Sequence, residues 1–362
     1  MRALSLRELE QEARECLDPA FYDYFAGGAD DEVTLRANET AFSRIGLVPR
    51  VLHGTGNPEL GTVLLGAQLS MPVLVAPTAF HRLAHPDGER ATVRAAVAAG
   101  TIMVVSMCST IAIEQVAAEA RFAAGASEVN LWFQLYLQPD LQFTETIIRR
   151  AEAAGCLALV VTVDSPGFGR RERDLRNNFV DLPPGMCCEN LRDGDEVRDL
   201  IFSPEFSWEH IEWLRKITSL KIVLKGIVHP ADAQMAIRHG ADAIIVSNHG
   251  GRQLDTVLAS IHLLPAIVDV VDGRIPVLMD GGIRRGTDVV KALALGASAV
   301  AVGRPVLWGL AINGEAGVRQ VLEMLRSELV RTLVMCGCGS PLRVSRDLVK
   351  SVTGEEQCVL FS

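Results

Sequence analysis

The chain has 362 residues, 49% of them hydrophobic and 22% charged, which is enough nonpolar side chain to bury a large core. A net charge of −9 argues against nucleic acid or an anionic membrane surface as the main partner, since both attract positive protein. No run approaches the ~20 apolar residues of a membrane span. The N-terminus turns charged at Arg2, Arg7 and Glu8, too soon for a secretory signal, and Val359-Leu360-Phe361-Ser362 matches no sorting tripeptide. A cytoplasmic address is therefore expected.

Taken in chain order, residues 1–70 read as a helical cover, with helices near 5–16, 19–26 and 30–42. From residue 71 short apolar runs alternate with longer amphipathic stretches. Eight runs read as strands: 72–76, 102–106, 131–135, 157–163, 221–225, 243–247, 276–280 and 299–302. Helical stretches lie between them, among them 88–99, 111–119, 140–154, 230–239 and 286–295. Strands that alternate with helices pair in parallel through right-handed crossovers. Eight such units over 71–310 fit a closed (β/α)₈ TIM barrel better than an open sheet, which stays the alternative. Residues 311–362 supply the last helix and a tail, and 1–362 reads as a single domain.

Residues 164–207 break the rhythm. This excursion after the fourth strand is rich in Pro, Gly and charge, and loops of that length usually serve as lids or are simply solvated. A partly mobile cover over the barrel mouth is the favoured reading. The eight cysteines include Cys187-Cys188 and Cys336-Gly337-Cys338, spaced too tightly for the usual zinc pairs and followed by no histidine cluster. Reduced thiols and no metal are expected.

In barrels of this kind the working residues stand at the C-terminal ends of strands. Those positions hold Thr78 and Ala79, then Ser106, then Gln134 and Tyr136, then Thr162 and Asp164. Lys225, His249 with Arg252, Asp280 with Arg284, and Gly303 with Arg304 complete the rim. The most telling loop is Ser247-Asn248-His249-Gly250-Gly251-Arg252-Gln253-Leu254-Asp255, which follows the apolar run 243–246. It offers a proton acceptor and a carboxylate-binding fork separated by two glycines that let the backbone turn sharply. Asp164, on another strand end, can orient a charged imidazole. Loops 280–286 and 302–305 bring glycines, backbone N–H groups and arginines to strands seven and eight, where barrels hold phosphate with help from a helix N-terminus. Lys225 has three readings: a snorkelling strand-end lysine, a Schiff-base former, or a fixed cation beside an electron-rich ring.

Together these residues resemble the FMN-dependent 2-hydroxy acid oxidases and dehydrogenases, such as glycolate oxidase, lactate oxidase and mandelate dehydrogenase. The likeness runs through Tyr22-Asp23-Tyr24-Phe25, Ala76-Pro77-Thr78-Ala79, His85-Pro86-Asp87-Gly88-Glu89 and Trp132-Phe133-Gln134-Leu135-Tyr136. It continues through Thr162-Val163-Asp164, Gly169-Arg170-Arg171, Leu224-Lys225-Gly226, the His249 loop, Asp280-Gly281-Gly282-Ile283-Arg284 and Gly303-Arg304-Pro305. The resemblance implies FMN across the barrel mouth, its phosphate on Arg284, Gly303 and Arg304. Ser106, Gln134 and Thr162 would bond its ribityl chain and ring edge, with Thr78 and Ala79 facing the ring and Lys225 beside N1. Ser247, Asp280 and Gly282 belong to the same cofactor-binding set. The substrate carboxylate would lie between Arg171 and Arg252 with help from Tyr24, its hydroxyl on Tyr136. His249 would be the base, paired with Asp164. The product is a 2-keto acid, with reduced flavin reoxidised by dioxygen to hydrogen peroxide, or by another acceptor in a dehydrogenase. An FMN-dependent isomerase or a non-catalytic flavin binder has no need of the two-arginine clamp.

The resemblance departs at Cys108, where plant-type glycolate oxidase has a tryptophan that walls the substrate side-chain pocket. Cys108 implies a roomier cavity, although Ala79 keeps a methyl where mandelate dehydrogenase has glycine. Medium or larger aliphatic, or aromatic, (S)-2-hydroxy acids are expected over glycolate. Membrane-bound relatives carry a basic, apolar insert in the region of 181–207, which here is short and holds Asp193, Asp195, Glu196 and Asp199. A soluble enzyme is expected, assembled as a homotetramer or homo-octamer like many of its relatives.

Overall fold

The eight apolar runs become eight parallel strands that pair in sequence order and close on themselves. In this computed structural model, which describes residues 3–125 and 129–352, they are β1 (Val73–Val75), β2 (Met103–Val105), β3 (Leu131–Leu135) and β4 (Ala158–Thr162). The second half comprises β5 (Lys221–Ile227), β6 (Ala243–Val246), β7 (Val277–Asp280) and β8 (Ala299–Val302). The register Val300↔Val73 and Val302↔Val75 joins β8 back to β1, so no edge strand remains in the barrel. The open-sheet alternative is thereby set aside.

Strand geometry explains why these runs read as continuously apolar. Side chains alternate faces with period two, and both faces are buried. Leu74, Ile102, Val104, Trp132, Val160, Val223, Ile245 and Leu278 fill the interior, where Ala158, Ala243, Ala299 and Ala301 leave room for the Trp132 ring. Their neighbours Val75, Val105, Phe133, Val161, Leu224, Val246 and Met279 face the helical layer. Barrel walls and helices thus share one core while the interior forms a second.

The N-terminal region holds three helices, α1 (Leu6–Cys16), α2 (Pro19–Ala26) and α3 (Val33–Thr40). Ser5 caps α1 by accepting the Glu8 N–H at 3.2 Å, while Glu8 reaches back to Leu4 N–H at 2.9 Å. Asp18 caps α2, with Pro19 at its first turn. Residues 1–70 are not helical throughout, however. Thr62–Leu64 and Ala67–Leu69 form an antiparallel hairpin whose Leu64, Ala67 and Leu69 pack with the barrel interior and plug its floor. The tight Leu65-Gly66 turn, both residues at positive φ, is the local signal for that hairpin. A strand at Val349–Ser351 pairs with Ile45–Leu47 and ties the tail to the N-terminal region.

The segment Arg304–Met335 consists of two helical stretches that meet at a break, where Asn313 and Gly314 leave helical geometry. Residues 164–207 lie over the barrel mouth. They carry a short helix (Glu172–Arg176), a 3₁₀ turn (Glu189–Leu191) and the small hairpin Arg192–Asp193 with Glu196–Val197. The segment is pinned at several points. Asn190 is fully buried and bonds Ile113 N–H at 2.8 Å and Ser109 Oγ at 2.7 Å. Gln253 Oε1 accepts the Gly169 N–H at 2.8 Å, and Arg173 pairs with Glu32 at 2.7 Å.

Candidate active site

A cavity of about 690 Å³ opens at the C-terminal ends of the strands, beneath the 164–207 segment. That size suits a bound small molecule with its cofactor. Every strand-end residue singled out from the sequence lines it except two. Asp164 and Ser247 stand behind the wall, holding residues that do face the cavity.

His249 sits at the centre of the working face. Its Nδ1 lies 2.8 Å from Asp164 Oδ1 and its Nε2 3.4 Å from the Tyr136 hydroxyl. Its backbone is left-handed, at φ 57, a conformation that costs energy for a residue bearing a Cβ and recurs at functional sites. Ser247 Oγ supports this turn by accepting the His249 N–H at 3.1 Å, and it accepts from Lys225 Nζ at 3.0 Å. The following glycines are required by close approach. A Cβ at Gly250 would come 2.8 Å from Arg304 Nη1, and one at Gly251 would come 2.6 Å from Leu35 N.

Burial alone would raise the Asp164 carboxyl. The charge and hydrogen bond of His249, with Lys225 nearby, outweigh it and hold the carboxyl below its ordinary range. Gly226, at φ 111, lets Asp164 approach: a Cβ there would meet Asp164 Cβ at 2.6 Å. Tyr136 is pushed well above the phenol range by burial and by the neighbouring Cys108 and Asp164, so it remains a hydroxyl donor at neutral pH.

Two guanidinium groups approach the Tyr24 ring, that of Arg171 at 5.4 Å and that of Arg252 at 5.0 Å from its centre. Arg171 Nε is held by Asp174 at 2.6 Å. Arg252 Nη1 bonds the carbonyls of Tyr24 (2.6 Å) and Gly27 (3.0 Å). Arg304 donates to the carbonyls of Phe25 (2.9 Å), Gly250 (3.0 Å) and Gly27 (2.9 Å). Two arginines therefore satisfy the otherwise orphaned carbonyls at the C-terminus of α2, which fixes that helix and Tyr24 over the mouth.

At the β7 and β8 ends positive charge exceeds its partners. Lys225 Nζ lies 3.4 Å from Asp280, and Arg284 Nη2 lies 2.7 Å from Glu39. Arg304, buried beside Arg252 and Arg284, is pushed down to about 9 by burial and by those neighbours, yet stays protonated at neutral pH. Three of its five donors are used, leaving two. Arg284 Nε, Gln134 Nε2 and Asp280 Oδ1 are buried without any hydrogen-bond partner. Buried polar atoms in that state mark a place that a polar ligand completes.

Of the two candidate phosphate loops, only one keeps a free helix start. The helix Gly286–Ala294 has its first N–H groups taken by protein carboxylates: Asp288 accepts from Arg284 and Arg285, and Glu328 accepts from Gly286 at 2.8 Å. Arg285 itself turns outward to Glu328. The helix Arg304–Met335 begins at Gly303, on the cavity wall, with no side-chain cap.

Several lining residues escaped the sequence reading. Phe80 stacks on Tyr24 at 5.3 Å and Phe179 tilts against it at 5.1 Å. Phe202 meets the Tyr136 ring edge-on at 4.9 Å and in turn touches Phe168 at 4.4 Å. Leu182 and Met186 add further apolar surface. Asp174, the partner of Arg171, was also missed, although its spacing of three residues on a charged stretch was a usable signal. The aromatic residues carry no such local mark.

A protein-family model described as FMN-dependent dehydrogenase matches residues 13–351. The chain belongs to that family. Its cofactor is FMN, and the residues fit such a group: cations and an uncapped helix start gather at one end, and unpartnered amide and carboxylate atoms at the middle. Glycolate oxidase of Spinacia oleracea is 46% identical over 359 residues, covering 96% of this chain and 95% of the relative. L-lactate oxidase of Nostoc sp. is 47% identical, covering 92% and 94%. Human 2-hydroxyacid oxidase 1 is 44% identical, covering 96% and 97%. Among solved structures, mandelate oxidase with benzoyl-formic acid superposes with a TM-score of 0.88 at 43% identity, over 96% of this chain and 98% of that one. Among the described residues no helix is long and apolar enough to cross a membrane, and no cluster of three or more metal-binding side chains is found. Seven described cysteines are free, Cys336 and Cys338 among them; Cys358 and the C-terminal tetrapeptide lie outside the described residues.

Proposed function

We propose that this flavoenzyme oxidises an (S)-2-hydroxy acid to its 2-keto acid and passes the electrons to dioxygen, giving hydrogen peroxide. The observation that carries the reading is the convergence of His249, Tyr136 and two arginines around Tyr24 on one cavity. FMN, when bound, supplies the two-electron acceptor. Arg284, Gly303 and Arg304 would hold its phosphate, and Lys225 would favour its reduced, more negative form. Ser106, Gln134, Thr162, Asp280 and Gly282 would line its polar edges, and Thr78 and Ala79 its face. Ser247 acts from behind, by placing Lys225 and His249.

Arg171 and Arg252 bind the substrate carboxylate, a geometry suited to forked donors. Tyr136 donates to the substrate oxygen. His249 takes one proton at Nε2, because Nδ1 is committed to Asp164, and the carboxylate stabilises the imidazolium that results. Cys108, Phe80, Phe179 and Leu182 offer an apolar surface for the substrate side chain, which supports acids larger than glycolate. An isomerase would make no use of the two-arginine site. The relatives named above are all called oxidases, which supports dioxygen as acceptor over another oxidant.

The test is an anaerobic titration of the purified yellow protein with glycolate, lactate, longer aliphatic 2-hydroxy acids and mandelate. Bleaching followed by recovery and peroxide formation on admitting air is the expected result. No bleaching by any acid rejects the oxidation, and bleaching without peroxide replaces dioxygen by another acceptor. A best rate with glycolate by a wide margin would reject the roomy-pocket reading. A cytoplasmic homo-oligomer completes the proposal. Val51, Leu52, Met335 and Leu342 are exposed apolar residues, and the Arg50 N–H bond to Cys336 brings two of their segments together. Light scattering on the eluted protein gives its mass directly.

A further inference from the structure

Three cysteines line the cavity: Cys108 from the loop after β2, and Cys187 and Cys188 from the segment over the mouth. All three are free. Backbone contacts bring two of these stretches together. Glu189 N–H donates to Ser109 O at 3.1 Å, and the buried Asn190 side chain bonds Ser109 Oγ at 2.7 Å and Ser106 O at 3.2 Å. Residues 188–190 therefore lie along 106–109.

The two cover thiols differ in their surroundings. Cys187 Sγ is engaged by Glu189 Oε1 at 3.0 Å and Arg192 Nη2 at 3.3 Å. Cys188 instead lines the same cavity as Cys108, and the nearness of that thiol, ahead of burial, pushes its own above the ordinary range. Cys108 also lies close enough to Tyr24 and Tyr136 to act on the titration of both. A joined pair of sulfurs would thus stand beside the substrate-binding residues.

We propose that Cys108 and Cys188 are a peroxide-sensitive dithiol that closes to a disulfide and fastens the 164–207 segment to the barrel mouth. As to the source of peroxide, the inference rests on the oxidase reading above. Peroxide takes one sulfur as its thiolate, breaking the O–O bond, forming an S–O bond and releasing hydroxide. The second sulfur then attacks the sulfenic sulfur, the S–O bond breaks, and the oxygen leaves as water with the thiol's proton. In sum, two thiols and one hydrogen peroxide become one disulfide and two waters. Two electrons pass from sulfur to peroxide. A protonated, sheltered thiol reacts slowly with dilute outside oxidant. Peroxide formed within the same cavity reaches it before dilution, so turnover favours closure. With this bond added to the hydrogen bonds that already hold residues 188–190, the segment opens less freely and substrate exchange slows until a reductant breaks it.

The reduced holoenzyme is given three treatments: aerobic turnover with a 2-hydroxy acid, the same with catalase, and hydrogen peroxide alone. Tryptic maps without reductant follow peptide 95–121, which bears Cys108, and peptide 177–192, which bears Cys187 and Cys188. The expected outcome is a cross-linked pair, a mass lower by about 2 Da, and an activity loss that dithiothreitol reverses. Cys188→Ser abolishes the cross-link, whereas Cys187→Ser retains it. Absence of the cross-link both in turnover and after added peroxide overturns the proposal, as does its persistence in Cys188→Ser. With added peroxide giving a cross-link and turnover none, measured peroxide formation in that turnover counts against closure by the enzyme's own product, and its absence counts against the oxidase reading.

Discussion

Replacing Asp164 by asparagine removes one charge from the His249 pair and leaves a side chain of nearly the same shape. The carboxylate lies 2.8 Å from His249 Nδ1, and the two side chains are 14% and 22% exposed. Unit charges at that separation attract by about 6 kcal/mol at an effective dielectric of 20 and by about 1.5 kcal/mol in water. A partly sheltered pair falls between these, and a loss of about 3 kcal/mol from the stabilised imidazolium corresponds to roughly a hundredfold in rate. Anaerobic stopped-flow reduction of the bound flavin by saturating substrate measures that step directly. Asp164→Asn should slow it about 10²-fold while the protein keeps its yellow colour. Reduction within about threefold of the parent, under ~0.7 kcal/mol, would refute the view that Asp164 stabilises a proton on His249.

Other substitutions probe separate parts of the same arrangement. Gly226→Ala forces a Cβ into Asp164 at a backbone angle side chains rarely adopt, so both thermal stability, by about 1–3 kcal/mol, and flavin reduction should fall; unchanged melting and rate would show that Asp164 can give way. Arg171→Lys keeps charge but loses the fork, and KM should rise by about tenfold or more with a smaller change in kcat; an unaltered KM would take Arg171 out of substrate binding. Cys108→Trp should lower kcat/KM for large acids more than for glycolate, read from a substrate panel, and an equal effect on all would remove Cys108 as a wall. On acidification the Asp164 pairing, whose folded carboxyl lies below its usual value, contributes fully above the ordinary aspartate range and is lost only as pH falls through that depressed value. Asp164→Asn should accordingly show a shallower loss of melting temperature at the acid end than the parent; parallel curves would contradict it.

Much of the architecture was readable in one dimension because its cause is local. A barrel strand buried on both faces must be apolar along its length, as in 131–135 and 243–246, and a helix between two such runs forces parallel pairing. The working residues follow from the same rule: once the strands are placed, their C-terminal ends name Thr78, Gln134, Lys225 and His249 without any knowledge of contacts. The two glycines after His249 were legible as backbone freedom. That Gly250 clears Arg304, and Gly251 clears α3, was not.

What needed three dimensions were pairings between distant residues and the use made of each polar group. Arg304 and Arg252 read as ligand-binding forks, yet both also close the C-terminus of α2, more than 200 residues away in sequence. Helix starts at Gly286 and Gly303 look alike in sequence, and only the folded positions of Asp288 and Glu328 show that the first is already satisfied. The hairpin at 62–69 packs as the barrel's floor because a closed ring of strands leaves an open apolar end to be covered. Phe179 and Phe202 wall the cavity because the 164–207 segment folds back over it. Sequence pattern records which faces are buried; which surface does the burying is decided by the fold, through contacts that no local periodicity encodes.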